Sequence, residues 1–254
     1  MSSAIAFNTI VFREIKRFIR IWPQTILPPM ITTSLYFLIF GTLIGSRIGD
    51  MGGKPYMEYI VPGIILMPVI SNSYSNVVSS FYSTKFQRHI EELLIAPVPN
   101  WVILSGYVSG GVVRGMTVGM VVALISSIFT RLNVLHYEIA LSILLLTAIL
   151  FSLAGFINAT YANSFDDISI IPNFVLTPLI YLGGVFYSIH LLPEIWRTIS
   201  LANPILYMVN AFRFGLIGVS DVDIAFAFLI IILFIVVLVL ISLFLLHRGT
   251  GIKI

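Results

Sequence analysis

From Ile224 to Leu246 the chain carries no charge and a single polar side chain, Ser242. A helix crosses the roughly 30 Å hydrocarbon layer of a membrane with about 20 apolar residues, so a run like this one reads as a transmembrane helix. Five other apolar runs are long enough to cross: about 24–45, 59–82, 103–129, 139–161 and 170–188. The chain has 254 residues, of which 10% are charged, where soluble domains run near a quarter. Six spans leave room for little else. The predicted fold is an all-α integral membrane protein, one domain over residues 1–254 with six transmembrane helices.

Two stretches do not fit simple spans. Over residues 4–22, Ala4, Phe7, Val11, Ile15, Phe18 and Trp22 follow the three-four spacing of one helix face, and Arg13, Lys16, Arg17 and Arg20 repeat it on the other. This predicts an N-terminal amphipathic interfacial helix whose basic side meets lipid phosphates, with Trp22 at its end. Between the fifth and sixth spans, residues 190–218 stay apolar but contain Pro193, Pro204, Glu194, Arg197 and Arg213. A segment so interrupted reads as re-entrant or interfacial, with the prolines opening short helices, since proline is tolerated in a first turn and not in an interior.

The set Leu192-Pro193, then Pro204-Ile205-Leu206-Tyr207, then Arg213, preceded by Gly183-Gly184 at the end of a span, resembles the permease subunits of ABC type-2 exporters. The six-span layout extends that resemblance over nearly the whole chain. It implies outward transport of a polysaccharide, lipid or drug-like molecule, two copies of the chain, and a separate ATPase subunit that binds ATP and Mg. No cofactor is expected in this chain, and no nucleic acid among its partners. It also implies roles. The 1–22 helix would be the connecting helix. Residues 85–96, KFQRHIEELLIA, would be the coupling helix that docks on the ATPase, through Phe86, Arg88, Ile90, Glu91, Glu92, Leu93 and Leu94. Pro193, Glu194, Pro204, Tyr207 and Arg213 would belong to the outer gate.

Other residues speak for themselves. The second span carries Ser71, Asn72, Ser73, Tyr74, Ser75 and Asn76 in a row. Polar groups against lipid are costly, so these face another helix or a water-filled path; both readings stand, and Asn72, Tyr74 and Asn76 are path candidates. Arg114 lies inside the third span, where an ionisable group marks a functional site by default and must pair or face water. No carboxylate is visible at matching depth; all eleven are expected in loops or at span ends. The third span also carries Gly106, Gly110, Gly111, Gly115 and Gly119, a small-residue spacing that lets another helix approach closely. It is the one local feature that supports self-association. Asp166-Asp167 is expected to cap the fifth span rather than bind a cation.

The absence of cysteine excludes disulfides and thiolate metal sites. His89, His136, His190 and His247 fall in separate loops and tails, and no metal site is expected. Gly52-Gly53-Lys54-Pro55 fails as a phosphate loop, because Ile48 stands where glycine is required and Pro55 follows the lysine. HExxH and GxSxG are absent, which leaves an intramembrane enzyme without support. An ion-coupled secondary transporter is the alternative to an ATP-driven permease, but it lacks both a mid-membrane carboxylate and a visible inverted repeat.

No cleavable signal peptide is expected, because the first twenty residues lack an apolar core before a small-residue site. Even-numbered spans put both termini on one side. That side holds Arg13, Lys16, Arg17, Arg20, Lys85, Arg88, Arg248 and Lys253; the other holds Arg47, Lys54, Arg131, Arg197 and Arg213. The positive-inside rule then places both termini in the cytoplasm, for a multi-pass protein of the bacterial cytoplasmic (inner) membrane.

Overall fold

The computed structural model describes residues 3–95, 97–130, 134–249 and 251; Ala96, Arg131 and Lys253 lie outside the described residues, as do the side chains of Leu93 and Leu94. Among the described residues, four helices are long and apolar enough to cross a membrane: α4 (Tyr56–Phe86), α6 (Asn100–Phe129), α7 (Tyr137–Tyr161) and α12 (Ile224–Arg248). The chain is an all-α membrane protein. Among the described residues its one sheet is the hairpin Asp50–Met51 and Lys54–Pro55. Gly52 and Gly53 both take positive φ there, the geometry of a tight two-residue hairpin turn.

The helix α1 (Ser3–Arg20) precedes α2 (Trp22–Tyr36), which passes through Pro28 and Pro29 without breaking. It continues as a π-helix over Phe37–Ile44 and as α3 (Gly45–Ile48). The fifth expected span is also composite: α8 (Asp167–Ile171), a π-turn over Pro172–Leu176, then α9 (Thr177–Leu182). It stops at Gly183-Gly184, short of the expected Ser188, because Gly184 turns left-handed at φ 71°. A non-glycine residue would carry strain at that corner. The start of this helix is a reciprocal cap. Asp167 N–H donates to Ser164 Oγ, and Asp167 Oδ2 accepts from Ser164 N–H and Asn163 N–H. The acid at 167 thus serves capping as expected, with Ser164 as the capping residue.

The central element is α4, packed along α6 and α7 and touching α2 and α11 (Pro204–Ile217). Glycine makes these approaches close. A Cβ on Gly106 would stand 2.7 Å from Ile10 of α1, and one on Gly119 would stand 2.7 Å from Val69 of α4. Gly110 faces Glu14, while Gly111 and Gly115 face Ser73, Val77 and Ser152. The glycine stripe of α6 is therefore filled by α1, α4 and α7 of its own chain. It no longer supports self-association, because the small-residue surface is already covered. Gly111→Val is expected to cost about 1–3 kcal/mol by overpacking, read as a lower unfolding temperature in detergent. An unchanged temperature would mean that the seam has slack.

The stretch after Gly184 forms a short 3-10 turn (Ile189–Leu191), α10 (Glu194–Leu201) and α11. Pro193 sits at the N-cap of α10 and Pro204 at the first position of α11, as a helix-opening proline should. Asn203 caps α11 by accepting from Ile205 N–H at 3.0 Å. The two helices differ sharply. Nearly all of α11 is buried, whereas α10 exposes Ile195, Trp196 and Ile199. The last helix, α12, shows lipid-type side chains on most of its surface, among them Leu229, Leu233, Leu240 and Phe244.

Candidate functional site

The polar groups of the chain gather in a seam where α1 crosses α4 and α6. The buried stripe of α1 is Ala6, Ile10, Glu14 and Phe18, four apart and hence on one face. This differs from the expected Ala4–Phe7–Val11 stripe, and the difference turns Arg13 and Arg17 inward. Arg13 Nη2 donates to Tyr107 Oη at 2.6 Å. Arg17 Nη2 donates to the Asn76 carbonyl at 2.7 Å and to Asn76 Oδ1 at 2.9 Å, while its Nη1 donates to Ser79 Oγ at 3.1 Å. Between them Glu14, 0% exposed, accepts from Ser80 Oγ at 2.6 Å and pairs with Arg13 at 3.5 Å and Arg17 at 3.4 Å.

Burial pulls the Arg17 guanidinium below its usual range, against the pull of Glu14. At Arg13, burial acts the same way, but Tyr107 and Glu14 outweigh it and hold the cation more firmly. Arg13 and Arg17 thus tie helices together, with 47% and 31% of their side chains still exposed. Lys16 and Arg20 remain exposed, and Trp22 is half-exposed at the start of α2. A cleft of about 370 Å³ opens beside the seam, lined by Lys16, Arg20, Ser83, Gln87 and His89.

One and two turns further along α4, the path candidates separate. Arg114 Nε donates to Asn72 Oδ1 at 3.2 Å, so these two candidates meet. Asn76 belongs to the α1 seam. Tyr74 does not face a path: it is buried and its hydroxyl accepts from Asn158 Nδ2 of α7 at 2.6 Å. Its neighbour Gly155 lets α7 press on the Tyr74 backbone.

The segment expected as a coupling helix begins later than residue 85. Lys85 and Phe86 finish α4, and Lys85 Nζ donates to the carbonyls of Thr160 (2.9 Å) and Ala162 (2.7 Å), a cation on the electron-rich end of α7. The chain then turns at Gln87 and Arg88, with Arg88 at φ 61°. It forms α5 (His89–Ile95). Ile90 is 1% exposed and packs into the core, so it fastens α5 from within rather than presenting itself outward. Glu91 and Glu92 are exposed on the free side, as are Arg88 and Phe86, whose ring packs against Phe165.

At the opposite end of α4, Arg213 is 0% exposed. Its Nε donates to the Tyr59 carbonyl at 3.2 Å, Nη2 to the Gly184 carbonyl at 2.5 Å and Nη1 to Asn210 Oδ1 at 3.3 Å. The guanidinium also lies 3.9 Å from the centre of the Tyr59 ring, a cation–π contact. Asp221 closes the knot, accepting from Tyr59 Oη and from Ile189 N–H. Tyr207 Oη donates to the Leu201 carbonyl at 2.7 Å and ties α10 to α11. Pro193 and Glu194 are exposed. Sequence reasoning missed Glu14, Tyr107, Tyr59 and Asp221. Only Glu14 left a signal, being the one acid placed four residues from both Ile10 and Phe18.

Comparison with known proteins agrees with this architecture. Residues 5–217 match the ABC-2 type transporter family. The chain is 55% identical over 249 residues to the inner membrane transport permease YadH of Escherichia coli strain K12, covering 98% of this chain and 97% of that one. It is 21% identical over 191 residues to nodulation protein J of Rhizobium leguminosarum bv. trifolii, covering 75% and 73%. It is 22% identical over 182 residues to nodulation protein J of Sinorhizobium fredii strain NBRC 101917 / NGR234, covering 71% and 69%. A helical membrane domain with a buried arginine knot at one end and a small outlying helix at the other, matched through most of its length, belongs to the ABC-2 type transporter family.

Proposed function

We propose that this chain is the membrane-spanning permease of an ATP-driven exporter in the bacterial inner membrane, moving a polysaccharide, lipid or drug-like molecule outward. The reading rests on the 55% identity to an inner membrane transport permease over 98% of the chain. In it the composite helices from Trp22 and from Asp167 cross the membrane with the four long ones, which makes six crossings with both termini cytoplasmic. Two copies enclose the path. Each holds a separate subunit that binds ATP and Mg, and α1 lies along the cytoplasmic surface. The stretch from Pro193 to Ile217 faces outward.

The geometry of α5 supports coupling through this helix. Ile90 fixes it to the body of the chain, while Glu91 and Glu92 are held out for a basic partner. Motion of a bound ATPase would pass through α5 into α4, the element that touches most of the domain. Proton coupling usually uses a carboxylate that loads and unloads the proton; among the described residues the buried one, Glu14, is held by two arginines and Ser80.

Co-purification tests the reading. The wild-type chain is expected to bring down a stoichiometric nucleotide-binding subunit from detergent extract. A Glu91→Lys, Glu92→Lys variant is expected to lose about tenfold or more of that recovery, since opposed like charges at an interface cost several kcal/mol. Because both positions are exposed, the variant should fold normally. A well-folded wild-type chain that recovers no ATPase when one is co-expressed would overturn the proposal.

A further inference from the structure

Arg114 is the fifteenth residue of a thirty-residue helix and is 9% exposed. It faces Asn72, which is equally central in α4. Among the described residues, no carboxylate pairs with Arg114, and Asn72 is its one hydrogen-bond partner. A cation at such depth is expensive and pairs or faces a water-filled cavity. With no carboxylate paired to it among the described residues, Arg114 is open to a charge from outside the chain.

The surroundings say what kind of molecule carries it. Asn72, in front of Arg114, lines a groove of about 310 Å³ between α2 and α4, whose other polar lining is Gln24, Thr25, Thr32, Thr33, Tyr36 and Ser71. Three prolines border the same groove: Pro28, Pro29 and Pro68. Each lacks the N–H that would serve the carbonyl four residues back, so the carbonyls of Gln24, Thr25 and Ile64 lose that intrahelical donor. All three of those residues line the groove. Sharing Gln24, Pro28 and Thr32 with it, a second groove of about 520 Å³ runs along the outer face of α2 past Leu27, Ile31 and Leu35, and its lining is almost wholly apolar.

We infer that the α2–α4 groove receives the head of an anionic amphiphile. Asn72, with the Arg114 guanidinium behind it, meets its phosphate or carboxylate group, the carbonyls of Gln24, Thr25 and Ile64 take its hydroxyl donors, and the hydrocarbon tail lies in the apolar groove along α2. The inference rests on the reading of the chain as a transport permease and narrows its cargo. The ladder of cations on one side of α4 fits a charged head that enters from the basic cleft at Lys16 and Arg20. Arg17 on Asn76 and Arg114 on Asn72 are its successive rungs, one helical turn apart on α4.

Binding to the purified full-length chain, without ATPase or ATP, tests this separately from the coupling proposal. Three probes are compared by native mass spectrometry from a neutral detergent: lauroyl lysophosphatidic acid, monolaurin (the same tail without the anion) and glycerol 3-phosphate (the same head without the tail). The lysophosphatidic acid is expected to bind best. Arg114→Gln should weaken it about tenfold or more, as when one partner of a buried hydrogen-bonded charge pair is removed, and should leave monolaurin unchanged. Arg114→Lys should restore part of the loss. Ser71→Trp, at an exposed rim of the groove, should weaken the same probe while Arg114 stays intact, which guards against a folding defect in the arginine variants. Equal binding of lysophosphatidic acid to wild type and Arg114→Gln overturns the proposal. So does monolaurin binding as tightly as the anion. Glycerol 3-phosphate matching the lysophosphatidic acid overturns the tail site and reduces the groove to a receptor for free phosphate esters.

Discussion

Replacing Arg213 by alanine is expected to destabilise the chain by roughly 3–5 kcal/mol, the range for dismantling a buried charged network. Three acceptors lose a donor at once: the carbonyls of Tyr59 and Gly184, and Asn210 Oδ1, which keeps only Asp221 N–H. None can recover water, because the site is closed. The face of Tyr59 loses its cation as well. The affected groups come from the start of α4, the left-handed corner after α9, and α11, so the loss separates three elements rather than loosening one. Arg213→Lys keeps the charge without the planar fork that reaches several carbonyls together, and should fall between wild type and alanine. The measurement is the yield of monodisperse protein and its unfolding temperature in detergent. If alanine at 213 melts with the wild type, the knot is not what holds that end together.

Glu14→Ala should have a smaller and more local effect. Breaking a fully buried ion pair costs about 3–5 kcal/mol, but Arg13 and Arg17 keep 47% and 31% of their side chains exposed, so the loss here stays below that range. Here Arg13 and Arg17 would be left facing each other, with Ser80 Oγ deprived of its acceptor. The cheapest relief is for α1 to lift away from α4 and α6, which returns both arginines to water. Trypsin should therefore cut the variant after Arg13 and Arg17 much sooner than the wild type, while the rest of the chain stays protected. Glu14→Gln retains the shape and an acceptor for Ser80, and should show a smaller change. Equal cleavage of all three would mean that the apolar residues Ala6, Ile10 and Phe18 seat the helix unaided.

The sequence was most legible where side chains sort by polarity alone. The apolar runs locate α4, α6, α7 and α12 within a few residues, because a bilayer-length helix leaves little choice of register. Pro204 and Asn203 mark the start of α11 through local backbone chemistry, and the glycine spacing of α6 correctly signals close approach. Periodicity failed where charged groups are buried. A pattern search places Arg13, Arg17 and Glu14 on the wet face of a helix, since nothing local tells that Asn76, Ser80 and Tyr107 will arrive to meet them. The partners of Arg213 escaped for the same reason: two of its three acceptors are backbone carbonyls, which every residue has and no composition reveals. The identity of the small-residue partner was also hidden, because a glycine stripe is equally ready for a helix of the same chain or of another. Ile90 shows the converse error, an apolar residue on a short outlying helix that looks outward until the core reaches it.

The docking of α1 also has a consequence for how the protein is made. Its partners on α4 and α6 lie between 59 and 94 residues further along the chain. At ribosomal speeds of about 5–20 residues per second, the last of them emerges roughly 5–20 seconds after Arg13. Throughout that interval Arg13, Glu14 and Arg17 have no seat, and the later helices must enter the bilayer before one exists. A segment made early therefore takes its place only after helices made later. Any machinery that inserts this protein must leave α1 free until the second long helix, α6, is home.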